Sequence, residues 1–147
     1  MISHFTSYEH RWLSNFWPCE IVFEGETYRS VEHAYMSAKS DDPEWKLFCL
    51  TTEKPAEVKR RSHVIELRSD WDDIKIKVMR RCITEKFTQE PFKTMLLETG
   101  TQHIQEGNWW GDRFWGVDLN VSPPVGKNML GILIMEVRNS MIMDDIL

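Results

Sequence analysis

The sequence predicts a predominantly α fold, α+β in class with only a small β element, built as a single compact domain over residues 1–147. Three observations predict it. Apolar residues recur at helical spacing along most of the chain, prolines and serines stand where those stretches begin, and only one run alternates like a strand before a turn. No repeat, low-complexity tract or Pro/Gly/Ser-rich linker divides the 147 residues, a length that suffices for one hydrophobic core.

In chain order, Cys19 to Arg29 reads as a short hairpin turning at Glu24-Gly25. Ser30 then caps a helix from Val31 to about Ser40, with Val31, Ala34, Tyr35 and Ala38 on its apolar arc. Pro43 opens a second short helix through Trp45 and Leu50, and Pro55 opens a third. Ser69 with Asp72 has the form of a capping box, ahead of a helix carrying Trp71, Ile74, Val78 and Cys82 to about Phe87. Pro91 starts a further helix that Gly100 ends. A short strand is expected around His103 to Glu106, followed by an ordered loop from Gly107 to Gly116, which has neither period. Beyond Pro123-Pro124 and Gly126, the last helix is expected from about Lys127 to Met143.

Composition excludes several classes of function. The opening MISHFTSYEHRW lacks the charged and apolar regions of a signal peptide, and the longest apolar run, Met129 to Met135, is far too short to span a bilayer. No membrane or export role is expected, and the cytoplasm is the simplest location. The three cysteines, Cys19, Cys49 and Cys82, are scattered without metal-ligand or disulfide spacing. They are expected to be core thiols, with no metal and no cofactor. A formal net charge of -5 argues against the broad phosphate neutralisation of non-specific nucleic-acid binding, so nucleic acid is expected only as a modified substrate. The charge is nevertheless uneven. Lys54, Lys59, Arg60, Arg61, Arg68, Lys75, Lys77, Arg80, Arg81 and Lys86 outnumber the acids between residues 54 and 87, which fits solvated helix faces as well as a local basic patch.

The seven tryptophans are the most unusual count, because the indole is large, amphipathic and suited to stacking on planar rings. Trp109, Trp110, Phe114 and Trp115 gather around Gly107, Gly111 and Gly116 and bracket Asp112. A nucleobase pocket needs flat apolar walls and a few polar groups. A packed structural loop would use the same residues.

Three stretches together resemble the NADAR family, also called YbiA-like: Ser14-Asn15-Phe16; Ser30-Val31-Glu32-His33-Ala34-Tyr35 with Lys39; and Asp112-Arg113-Phe114-Trp115-Gly116-Val117, followed by Gly126-Lys127-Asn128-Met129-Leu130-Gly131 and Met135-Glu136-Val137-Arg138. The resemblance implies an N-glycosidase that hydrolyses the bond between ribose and a base. Some family members cleave ribosylamino-pyrimidine phosphates, early intermediates of riboflavin synthesis, and others remove ADP-ribose from guanine in nucleic acid. It also implies a catalytic group of Glu32, Trp71 and Asp112, the last from an Asp-x-x-Trp-Gly pattern. Lys39, Asn15, Tyr35, Trp115, Asn128 and Arg138 are expected on the substrate side, and the ligand is a small ribosylated heterocycle or an ADP-ribose-type molecule.

The residues can also be read without the family. Glu32 stands in the first helical turn, where an acid simply complements the helix dipole. The same dipole favours the ionised form, which suits a general base, or an anion facing a positively charged sugar, better than a proton donor. On the helical wheel Lys39 lies beside Glu32 at the margin of the apolar arc. Arg138 falls inside the apolar arc of the closing helix, where a guanidinium must be paired. The expected partner is a carboxylate, Glu32 or Asp112, or a ligand phosphate. Trp71 is either a first-turn core residue or a stacking surface for the leaving base. Two rival classes stay open: a non-catalytic ADP-ribose or nucleotide-binding module, and an interaction domain that uses its tryptophans as hot spots.

Overall fold

The computed structural model describes residues 1–146. They fall into two units, a central one, Asn15–Lys86, and a terminal one made from Met1–Ser14 together with Phe87–Leu147. The fold is predominantly helical with two small sheets, as the sequence predicts.

The central unit opens on an antiparallel hairpin, β1 (Ile21–Phe23) and β2 (Glu26–Tyr28), with Ile21 opposite Tyr28 and Phe23 opposite Glu26. Glu24 and Gly25, at φ 49 and 82, supply the left-handed pair that a two-residue turn needs, so glycine at 25 costs nothing there. Ile21, Phe23 and Tyr28 are buried while Val22 faces out, the alternation of a one-sided sheet. Helix α1 (Val31–Ser37) is buried along its whole length. The Ser30 hydroxyl accepts from the His33 amide at 3.2 Å, the expected cap. The His33 ring is held at both nitrogens, by Ser30 Oγ at 2.6 Å and the Thr52 carbonyl at 2.9 Å, and burial pushes its pKa down. The helix stops short of Ser40, because the amides of Ala38 and Lys39 turn back to the carbonyls of Tyr35 and Met36.

Helices α2 (Pro43–Thr51) and α3 (Pro55–Arg61) begin at the expected prolines. Asp42 caps α2 through the Glu44 amide at 3.0 Å. Helix α4 (Trp71–Phe87) starts one residue later than a Ser69 cap would place it. The first turn closes on the Asp70 carbonyl, which accepts from Ile74 N, while the Asp70 carboxylate is drawn off by Arg68 at 2.6 Å. Met79, Cys82, Ile83 and Lys86 are its buried stripe. All three cysteines are buried and free, as expected, and burial drives their thiols upward, Cys49 and Cys82 to about 12.

In the terminal unit a 3-10 turn at Arg11–Leu13 buries Trp12 and Leu13, with Trp12 edge-on to Phe87 at 6.3 Å. Helix α5 (Phe92–Glu98) ends just before Gly100 at φ 63. The strand expected at 103–106 is reduced to an isolated parallel bridge between Ile2 and Ile104. The paired strands lie at the edges of the glycine- and tryptophan-rich segment, where β3 (Gly107–Asn108) runs parallel to β4 (Val117–Asp118). Helix α6 (Met129–Ile146) begins two residues later than expected, because Asn128, at φ 53, cannot continue a right-handed helix. Leu130, Leu133, Ile134, Val137 and Met141 form the buried arc of α6. A side chain at Gly131 would strike the Ile104 carbonyl and the Asn128 amide, so glycine lets the helix backbone close against that segment. Among the described residues no helix is long and apolar enough to cross a membrane.

Candidate active site

Four of the expected site residues come together in the central unit. Glu32 is buried on α1 at 6% exposure, Tyr35 follows one turn on at 4%, and Trp71 is buried at 5% at the start of α4. The Tyr35 and Trp71 rings meet at 5.1 Å between centroids, tilted by 57°. Lys39, just past the end of α1, places Nζ at 5.9 Å from the Tyr35 ring and 6.0 Å from the Trp71 ring, within reach of both cation–π interactions. The Lys39 carbonyl also accepts from the Arg68 amide at 2.9 Å, which ties the end of α1 to the approach of α4. Burial lowers the Lys39 pKa, the Glu32 carboxylate opposes that shift, and Lys59 and Lys75 reinforce it. One partly buried margin therefore carries a carboxylate, an ammonium and two aromatic faces.

Asn15 joins this group from the loop before the hairpin. Its carbonyl accepts the Glu32 amide at 3.0 Å, fixing the backbone of the first turn of α1. Its side-chain Nδ2 donates only to the Met79 thioether at 3.5 Å, and its Oδ1 is buried with no partner. A buried acceptor left unmatched is uncommon, and its desolvation is unfavourable. Among the described residues it is the one buried side-chain acceptor of the central unit without a partner.

In the terminal unit Asp112 is half-buried and its Oδ1 accepts from two amides, Phe114 N at 3.0 Å and Trp115 N at 2.9 Å. Asn108, fully buried, grips the same residue from behind: Oδ1 accepts Asp112 N at 3.0 Å and Nδ2 donates to Asp112 O at 2.9 Å. Sequence reading missed Asn108, whose role is set by pairing between β3 and the loop and by no local pattern. Trp115 is half-buried and edge-on to Phe114 at 4.8 Å.

Asp112 thus has a structural task whatever its chemistry, and the two are separable. Asp112→Asn keeps a carbonyl oxygen for both amides and should unfold near the parent's denaturant midpoint. Asp112→Ala frees both amides and should cost about 1–3 kcal/mol. If Asp112 serves the N-glycosidase chemistry that the resemblance implies, base release falls in both variants, and an Asn variant with full activity leaves Asp112 as a loop clamp only.

The structure gives two of the expected substrate-side residues, Asn128 and Arg138, protein partners of their own. Asn128 has its amide committed to backbone: Oδ1 accepts Glu106 N at 2.9 Å and Nδ2 donates to Ile104 O at 2.9 Å. It organises the entry to α6 through those two bonds, which use one Nδ2 hydrogen and one Oδ1 lone pair. Arg138 is buried at 3% exposure, as its place in the apolar arc requires, but it meets no carboxylate. Its Nη1 donates to Thr99 Oγ1 at 2.9 Å and to the Gln102 carbonyl at 2.8 Å, and its Nε is unpartnered. The guanidinium satisfies one hydroxyl and one carbonyl in the turn that follows α5, a need invisible in the sequence.

A family model described as the NADAR domain matches residues 4–142. The riboflavin biosynthesis protein of Vibrio vulnificus (strain YJ016) is 36% identical over 135 residues, covering 90% of this chain and 36% of that protein. The chain therefore spans about a third of that relative's length. N-glycosidase YbiA of Escherichia coli (strain K12) is 30% identical over 145 residues, covering 92% of this chain and 84% of that protein. An N-glycosidase of Nostoc punctiforme is 33% identical over 132 residues, covering 86% and 82%. The NMR structure of Escherichia coli YbiA superposes with a TM-score of 0.82 over 99% of this chain and 89% of that one, at 24% identity, a likeness of fold.

Proposed function

Because this chain belongs to the NADAR family, we propose that it is an N-glycosidase that hydrolyses the bond between a ribose, or ribose phosphate, and a nitrogenous base. The substrate we assign is a ribosylamino-pyrimidine phosphate. Support comes from the relatives named as N-glycosidases and as a riboflavin biosynthesis protein. The observation that carries the reading is the grouping of Glu32, Tyr35, Lys39 and Trp71 in the central unit. The family match runs through both units, from residue 4 to 142, which supports one NADAR domain. Three buried thiols without a disulfide fit a reducing cytoplasm.

The chemistry demanded is modest. As the C–N bond breaks, its electron pair leaves with the base and positive charge builds on the ribose. A water oxygen then bonds to the anomeric carbon, giving up one proton, and the base takes one. A carboxylate beside the anomeric carbon stabilises that charge and accepts the water proton, the part assigned to Glu32. Trp71 and Tyr35 provide faces for the heterocycle, and the Lys39 ammonium supplies charge for a phosphate. The second carboxylate is assigned to Asp112 from the motif.

A panel of ribosylated pyrimidine phosphates, NAD, ADP-ribose and ADP-ribosylated DNA, scored for released base or sugar, tests the proposal. Turnover of a pyrimidine phosphate is expected. Turnover of ADP-ribosylated DNA alone would move the chain to the glycohydrolase alternative, and binding without any release would make it a nucleotide-binding module.

A further inference from the structure

Of the seven tryptophans, Trp12, Trp45 and Trp71 are buried and Trp17 and Trp115 half-buried, whereas Trp109 and Trp110 are exposed at 49% and 57%. Exposing two consecutive indoles leaves a large apolar area in water, and such patches mark interaction sites. The backbone beneath them is not loose. The Trp109 carbonyl accepts from Asn120 Nδ2 at 2.7 Å, and Asn108 and Asp112 clamp the chain on either side through the four contacts described above. The His4 ring stands edge-on to Trp109 at 5.3 Å. The indoles are therefore presented from a fixed segment, which lowers the ordering cost of binding.

We propose that Trp109 and Trp110 form a stacking platform for a planar nucleobase. Choosing a nucleobase over a protein partner rests on the reading of the chain as an N-glycosidase. Two cations on or tied to the same loop agree with a nucleotide. Arg113 has a half-exposed side chain, and its Nε and Nη2 are held on Asp118 Oδ2 at 3.2 and 3.1 Å, which leaves Nη1 for a phosphate. Lys127 is exposed, with Nζ at 5.5 Å from the Phe114 ring, and its amide donates to the Arg113 carbonyl. Aromatic faces beside fixed cations are the usual means of holding a base together with its phosphate, whether the base is free or part of a single strand.

The test uses the indole N–H signals of 15N-labelled protein, titrated separately with AMP and with an eight-residue oligothymidylate. Both indoles are exposed, so Trp109→Ala and Trp110→Ala should fold as the parent does, and each variant identifies its own missing signal. Those two signals are expected to shift on titration, and affinity should fall about fivefold or more in each variant. Shifts with AMP but not with the oligonucleotide name a free nucleotide as the source, and shifts with both name a strand. Unmoved Trp109 and Trp110 signals, or unchanged affinity in both variants, would overturn the platform. Base release from the substrate panel is scored on the same proteins. Turnover with unmoved indoles removes the platform alone, and shifting indoles without turnover remove the N-glycosidase reading alone.

Discussion

Glu32→Gln should lower base release at least a hundredfold, about 2.7 kcal/mol of transition-state stabilisation, while the thermal midpoint stays near the parent's. Glutamine keeps the volume of a side chain that is only 6% exposed on a fully buried helix, so packing is preserved. What disappears is the negative charge opposite the developing oxocarbenium, an interaction strongest in the transition state. The backbone bond from Glu32 N to the Asn15 carbonyl does not involve the side chain and survives. A second consequence is specific to this site. The Glu32 carboxylate props up the Lys39 pKa against burial, so in the variant the Lys39 ammonium should lose its proton at lower pH, which side-chain NMR would follow. A rate within tenfold of the parent, roughly 1.4 kcal/mol, would remove Glu32 from the chemistry.

Local signals carried much of the architecture. The Glu24-Gly25 turn, the Ser30 cap and the prolines at 43 and 55 act over a few residues, and each stands where pattern puts it. Glu32 and Tyr35 share the short helix α1 and Lys39 stands two residues beyond its end, so helical phase carries that part of the grouping, whereas Trp71 entered only through the family resemblance. Contacts between distant segments were illegible. Two-residue strands such as β3 and β4 have no period to read, and their pairing is fixed by tertiary closure. Arg138 was correctly placed inside, but its hydroxyl and carbonyl partners depend on where α5 ends. Asn128 was singled out by the family resemblance, and the backbone of 104–106 that its amide closes is a partner no local pattern announces.

Lys86 shows the same limit from the other side, and Lys86→Met should reverse the cost it imposes. Counted by charge, it belongs to a basic and solvated stretch. Counted by phase on α4, it follows Met79, Cys82 and Ile83 into the core, and it is 0% exposed. Burial depresses its ammonium from 10.5 to about 7, with Cys19 acting the other way. Between those two values the unfolded chain holds a proton on Lys86 that the folded chain has released, so stability rises with pH through that window. Below about pH 7 the folded ammonium is itself charged in the core, and the penalty is at its full size. Methionine fills a similar volume without titrating. The stability of Lys86→Met relative to the parent, measured by chemical denaturation, should therefore be about 3 kcal/mol more favourable at pH 6 than at pH 9. That difference is insensitive to any pH-independent packing change the substitution brings. Equal offsets at the two pH values would mean that Lys86 keeps an ordinary proton affinity in the folded protein, and that α4 carries a hydrated charge where its apolar stripe runs.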